Sequence, residues 1–192
     1  MLIDFFTCYD QADRPAQGHD DSICPANSVE AQKATSANKS FSVDQDLLVV
    51  TAPSQDGKSN CGDYVINPPL SQPHTPPGRV THTSIAYDIQ RDHIVFFKDS
   101  WRVACDDIMK EGDVYTILNK VKVPNIPCCS ASGDVGDDTT YHSTSTDRFT
   151  DASWAVKRTH KFIPHQHHRL ILDDIGDKLE TFQCGKEMVY AI

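Results

Sequence analysis

The sequence predicts an α+β domain, and three observations carry that expectation. Residues 79 to 101 hold two runs rich in β-branched and aromatic side chains, "RVTHTSIAYDI" and "IVFFKDSW", joined by the short polar turn "QRDH". A connection that short makes the two strands antiparallel neighbours. A helical stretch follows at once, and a further apolar strand, "HRLILDDIG", comes some fifty residues later. The order strand, strand, helix, strand, strand, helix, without an internal repeat, is that of an α+β chain.

The elements follow in order. Leu2, Phe5, Phe6 and Tyr9 are spaced i, i+3, i+4 and i+7, one face of an amphipathic helix that ends before Pro15 and Gly18. An apolar face at the start of a chain is expected to dock on something. From Asp20 to about Asn60 the sequence is polar with little periodicity, and "FSVDQDLLVV" (41–50) is its one good strand candidate. Residues 1–60 are therefore read as an N-terminal helix and a loosely ordered extension. "SQPHTPPG" (71–78) is a loop. Asp106 or Asp107 is expected to cap a helix running to about Lys122, with Val114, Ile117, Leu118 and Val121 on its inner face, stopped by "VPNIP". "PCCSASGD" reads as a short strand, residues 136–160 as irregular, and "KLETFQCGKEMVYAI" as a final helix beginning near Lys178. Trp101 and Trp154 read as packing residues.

The totals exclude some functions. A net charge of −9 argues against generic nucleic-acid or anionic-membrane binding. The basic stretch from Lys157 to Arg169 lacks the aromatics of a base-stacking surface. No apolar run approaches the ~18 residues of a membrane span, and "MLIDFFTCYD" lacks the basic region of a secretory signal. Seven cysteines, an odd number with no CxxC pair, read as free thiols. The expected setting is intracellular, cytoplasmic or nuclear. The histidine run "HQHH" (165–168), with His142 and His160 nearby, raises a metal-binding reading. His167 and His168 are adjacent, however, and point to opposite faces of a strand, so they cannot share an ion and no metal site is assigned.

The chemistry-bearing pair is Lys98 and Glu111. Four apolar residues, Ile94 to Phe97, run straight into Lys98. Glu111 precedes Val114 by three and Leu118 by seven, so it lies on the sheet-facing stripe of the helix. A carboxylate aimed inward costs several kcal/mol unless paired, and the lysine on the preceding strand is its natural partner.

Strand, turn, strand ending in Lys, then a helix with an inward Glu is the plan of a protein-kinase small lobe. The chain resembles the fungal-type protein kinase family. The matching segments are "FFTCYDQADRPAQGHDDSI", "GRVTHTSIAYD", "FKDSWR", "EGDVYTIL", "VPNIP", "SGDV" and "HHRLILDDIGDKLETF". The resemblance implies a kinase-like small lobe over residues 61–192, a twisted antiparallel sheet with one main helix, reaching the hinge and the start of the following helix. It implies ATP as the ligand, with Lys98 on its phosphates and Glu111 as the partner of Lys98. Leu172 becomes the gatekeeper, and Asp173, Asp174 and Ile175 the hinge whose backbone meets adenine. Val80 and Ala86 are placed at the roof over the nucleotide.

The sequence contains no H-R-D-x-x-x-x-N segment and no D-F-G, and only Gly78 stands near the expected phosphate loop. "RDH" at 91–93 has neither the order nor the position of the catalytic segment. The base that orients a substrate hydroxyl and the Asp that holds Mg²⁺ are thus missing, so Mg²⁺ is not supported by this chain alone. The expectation is an ATP-binding small lobe truncated before the catalytic loop. Its alternative is a non-catalytic, pseudokinase-like interaction module that binds a protein partner through its exposed hinge-side surface.

Overall fold

The computed structural model describes residues 2–42, 44–53, 62–68, 80–137, 140–155, 163–176, 181, 184 and 185. These form a mixed α+β structure. In chain order the elements are α1 (Leu2–Gln11), β1 (Ile23–Pro25), α2 (Ser28–Ala37), β2 (Leu48–Ala52), β3 (Gly62–Ile66), β4 (Thr81–Asp88), β5 (His93–Val103), α3 (Glu111–Lys120), β6 (Cys129–Asp134), β7 (Gly136–Asp137), β8 (Thr140–Tyr141) and β9 (His165–Leu172). Seven strands make one antiparallel sheet in the order β1-β2-β3-β4-β5-β9-β6, and β7 pairs with β8. No helix among the described residues is long and apolar enough to cross a membrane.

The sheet curls. Near its two ends, β2 leads into Pro53 and β6 carries Gly133, and a Cβ added at Gly133 would lie 2.8 Å from Pro53 Cβ. The concave face buries Val50, Ala52, Tyr64, Ile66, Ala86, Val95, Phe97, Ala131 and Ile171. Period-two alternation sends the intervening residues to the convex face, where α2 and α3 pack. Val49, Val65 and Tyr87 meet Ala34 of α2 with Phe41 and Leu47. Further along that face, Cys129, Leu170 and Leu172 meet Phe96 and Tyr115.

The stretch read as a loose extension is built into this sheet. Strand β1 pairs with β2 through Ile23↔Val50, and β2 pairs with β3 over its whole length. Helix α2 starts at a capping box: the Asn27 side chain accepts from the Val29 and Glu30 N–H groups, and Glu30 accepts from Asn27 N–H at 2.8 Å. The sequence hides these elements because β1 is only three residues long and α2 buries a single small residue, Ala34, so neither shows a periodic apolar signal. The strand candidate at 41–50 is realised later, at Leu48–Ala52.

Helix α3 begins at Glu111, not at Asp106 or Asp107. Its N-cap, Lys110, is extended and makes no side-chain cap bond. The face it turns to the sheet also differs from the expected stripe. Val114, Ile117 and Val121 are exposed, whereas Gly112 is buried and Tyr115 packs on the Leu170 cluster. A Cβ at Gly112 would meet Ser132 Oγ at 1.8 Å, so the helix lies on β6 as closely as a glycine permits. The apolar face of α1 is exposed at Ile3, Phe5, Phe6 and Tyr9, and Trp154, expected to pack, is exposed beside Phe149. The glycine loop around Gly78 and the helix expected from Lys178 lie outside the described residues.

Candidate functional site

The site is assembled from β5, α3, β6 and β9. Lys98 lies opposite Thr83 on one neighbouring strand and Leu170 on the other, so its side chain leaves the convex face, towards α3. There Lys98 Nζ donates to both carboxylate oxygens of Glu111, at 2.8 and 2.7 Å. The two residues inferred to pair do so, in a partly buried setting. The strand does not end at this cation but continues to Val103; Lys98 interrupts its apolar run because its side chain is paired with Glu111.

A cavity of about 320 Å³ opens beside the pair, lined in part by Thr81, Ser100, Arg102, Lys110, Val114 and His168. Its wall is basic: Lys98, Arg102, Lys110 and His168 all contribute. Beneath it sits Asp134 of β6, a residue that sequence reasoning did not single out. Arg102 donates to both Asp134 oxygens at 2.7 Å, Lys110 Nζ lies 2.7 Å away, and His168 Nδ1 lies 3.0 Å away. Burial pushes the Asp134 carboxyl up. The bonds from Arg102, His168 and Lys110 outweigh this and hold it well below the usual carboxylate range. His168 Nε2 is buried without a hydrogen-bond partner. The signal for this cluster was present as the segments "SWR" and "SGDV", but its pairing depends on a strand register that no spacing encodes.

The other expected residues are placed differently. Leu172 lies two residues along β9 from Leu170, on the Lys98 face, within the apolar cluster with Phe96 and Cys129. Asp173, Asp174 and Ile175 follow it and do not line the cavity beside the ion pair. Asp173 accepts from Arg91 Nη1 at 2.8 Å and its N–H donates to the Cys128 carbonyl, while Asp174 accepts from Cys128 N–H. Burial raises the Asp173 carboxyl, but its bonds to Ser130 and Arg91 bring it below its ordinary value. Thus "RDH" has a structural use. Arg91 also binds Asp88 and Ser130, and Asp92, at φ 54°, accepts from the Tyr87 hydroxyl. Val80 and Ala86, expected at a nucleotide roof, point the other way. Thr83 is the partner of Lys98, and both lie an odd number of residues from it, so alternation puts them on the concave side. Thr81, Thr83 and Ile85 hold the Lys98 face of β4.

A second polar cluster fills the concave side. Arg169 is fully buried there and donates to Asp99, Asp20, Ser22 and the Thr51 carbonyl. The sequence segments "QGHDDS", "FKDSW" and "HHRL", far apart in the chain, converge on this cluster. No protein-family model, curated protein or solved structure matches the chain.

Proposed function

We propose that the chain is a protein-kinase-like small lobe that binds a nucleotide at the Lys98–Glu111 pair. The observation that carries this reading is the bidentate ion pair between a strand lysine and the inward glutamate of the next helix, 2.8 and 2.7 Å long. In kinases such a pair positions the lysine on the α- and β-phosphates. The surroundings support it. A basic wall of Lys98, Arg102, Lys110 and His168 suits a polyphosphate. Ile108, Met109 and Val114 add apolar side chains to the lining of the same cavity. In this reading the hinge meets adenine through the backbone of Asp174 and Ile175, since the Asp173 N–H donates to the Cys128 carbonyl. The segments that would supply a catalytic base and metal ligands are not in this sequence, so the 192 residues bind without transferring phosphate.

The test is titration of the purified chain with ATP, ADP and AMP, followed by calorimetry and thermal unfolding. ATP binds more tightly than AMP, and Lys98→Met abolishes the difference while the fold is kept. Equal response of wild type and Lys98→Met to ATP removes the proposal. A second reading, a non-catalytic interaction module, is favoured by the exposed Met109, Val114, Ile117 and Val121 on and around α3. In that case no nucleotide shifts the unfolding temperature.

A further inference from the structure

We infer that Asp20, His142 and His167 form a binding site for a divalent transition-metal ion, of which zinc fits best, on the concave side of the sheet. This site is independent of the Lys98–Glu111 cavity, which lies across the sheet.

The three side chains come from three parts of the chain: the turn before β1, the residue after β8, and β9. One ligand atom from each lies within 4.8 Å of the others. His142 Nδ1 is 3.9 Å from an Asp20 oxygen, and His167 Nδ1 is 3.8 Å from the other. Those separations are too long for hydrogen bonds. They slightly exceed the ~3.3 Å between ligand atoms around a tetrahedral ion with bonds of about 2.0–2.1 Å, so closure on an ion needs only small side-chain movements.

The decisive group is His167. It is 6% exposed, and its Nδ1 is buried without a hydrogen-bond partner. Its other nitrogen, Nε2, is bonded to Asp99 Oδ1. A carboxylate on Nε2 keeps the proton there and leaves Nδ1 as a bare lone pair, 3.8 Å from Asp20 Oδ2. That is the carboxylate–histidine–metal arrangement, in which the outer carboxylate sets the tautomer and orientation of the ligand. Trp101 stacks on the His167 ring at 5.0 Å and His142 stacks at 5.8 Å, which fixes the ring plane. An unmet buried acceptor costs free energy; a cation at this point removes that cost.

The carboxylate has capacity for the ion. Asp20 Oδ1 accepts from Ser22 N–H and Ser22 Oγ, and Oδ2 accepts from Arg169 at 2.8 Å. Of about four lone-pair positions on a carboxylate, one remains, on Oδ2, the oxygen nearest His167. The local charges are Asp20 and Asp99 against Arg169, a surplus of one negative charge with neutral imidazoles. Two imidazoles and a carboxylate suit zinc more than a hard cation. Three protein ligands leave a fourth position, and it faces a cavity of about 560 Å³ bordered by Pro15, Gly18, Val80 and Tyr141. An open position admits water or a small anionic ligand. The adjacency of His167 and His168, which argued against a shared ion, is no obstacle, because the partners of His167 come from other segments.

The experiment uses the full chain, stripped with chelator and titrated with Zn²⁺ by calorimetry, beside the His142→Ala and Asp99→Asn variants. His142 is half-exposed, so its removal spares the core, and circular dichroism verifies this. Wild type binds one more equivalent of zinc than His142→Ala, which subtracts adventitious binding by thiols and other histidines. Asp99→Asn weakens that equivalent by about 10–100-fold, the range for loss of an outer carboxylate. In ¹⁵N spectra of the wild type, one equivalent of Zn²⁺ shifts His167 Nδ1. Identical isotherms for wild type and His142→Ala overturn the assignment. So does a His167 ring protonated on both nitrogens at neutral pH and unmoved by zinc, because His167 would then be a charged link between Asp99 and Asp20.

Discussion

Arg169 Nη2 donates to Asp20 Oδ2 at 2.8 Å, across 149 residues of sequence. This bond ties the turn that follows α1 to the strand that ends at Leu172. Arg169 is completely buried, and its other donors reach Asp99, Ser22 and the Thr51 carbonyl. Removing one member of a buried ionic cluster leaves its partners uncompensated, at a cost of about 3–5 kcal/mol. Arg169→Met is therefore expected to lower stability by that amount in urea unfolding. Asp20→Asn is expected to cost less, since Arg169 keeps Asp99. Arg169→Met within about 1 kcal/mol of wild type would show that the cluster contributes little net stability.

The pair at Lys98 behaves differently. Both side chains keep contact with solvent, so the ion pair adds only about 0–1 kcal/mol to stability. Glu111→Gln is expected to leave the urea midpoint nearly unchanged and to weaken ATP binding. Collapse of the fold in Glu111→Gln would assign the pair a structural role instead.

Gly112 sets how closely α3 approaches β6. An alanine there gains about 1 kcal/mol of helix propensity. Its Cβ would, however, lie 1.8 Å from Ser132 Oγ and 2.4 Å from Ser132 Cβ. Overpacking of this kind costs about 1–3 kcal/mol. Gly112→Ala should be destabilising on its own and neutral or stabilising when combined with Ser132→Gly. A double-mutant cycle showing no coupling would contradict the close contact.

Stability should fall in acid. Burial raises the carboxyls of Asp20, Asp99 and Asp134. Bonds from Ser22 with the Arg169 charge, from His167 and Arg169, and from Arg102, His168 and Lys110 respectively outweigh burial, so all three end below their ordinary value. A carboxyl with a lowered folded pKa is protonated first in the unfolded chain, which then binds more protons than the native one. Its contribution is complete above the unfolded value near 3.9 and disappears as the pH drops through the folded value. The urea midpoint is expected to hold near neutrality and to fall steeply below about pH 4, with a shallower fall in Asp134→Asn. A midpoint independent of pH between 5 and 3 would mean that these bonds carry no linkage.

Phe5 meets Phe6 edge-on at 5.5 Å and stacks on Tyr9 at 6.2 Å, and all three rings are exposed. Replacing Phe5 and Phe6 by Ser should change unfolding free energy by no more than about 0.5 kcal/mol, as for ordinary surface sites. A larger loss in equilibrium unfolding would show that α1 docks on the sheet in solution.

Sequence alone was enough for the α+β class, for strands β4, β5 and β9, and for the pairing of Lys98 with Glu111. Each rests on local information: alternation and β-branching over eight or more residues, a short turn that forces an antiparallel pair, and a carboxylate at i−7 from Leu118 that needs a counter-charge. Tertiary structure decided the rest. Strand β1 and helix α2 escaped notice because three residues and one buried alanine carry no period. The inner face of α3 was misjudged because a glycine contributes to packing by what it lacks, and no apolar count registers that. Val80 and Ala86 were assigned to the wrong face because a face depends on register, and one residue of slip inverts it. Asp20, Asp99, His142, His167 and Arg169 were all visible as residues, but their meeting depends on the curl of the sheet. Curling brings the turn before β1 and the end of β8 onto the concave side of β9, and no spacing in the chain encodes that approach.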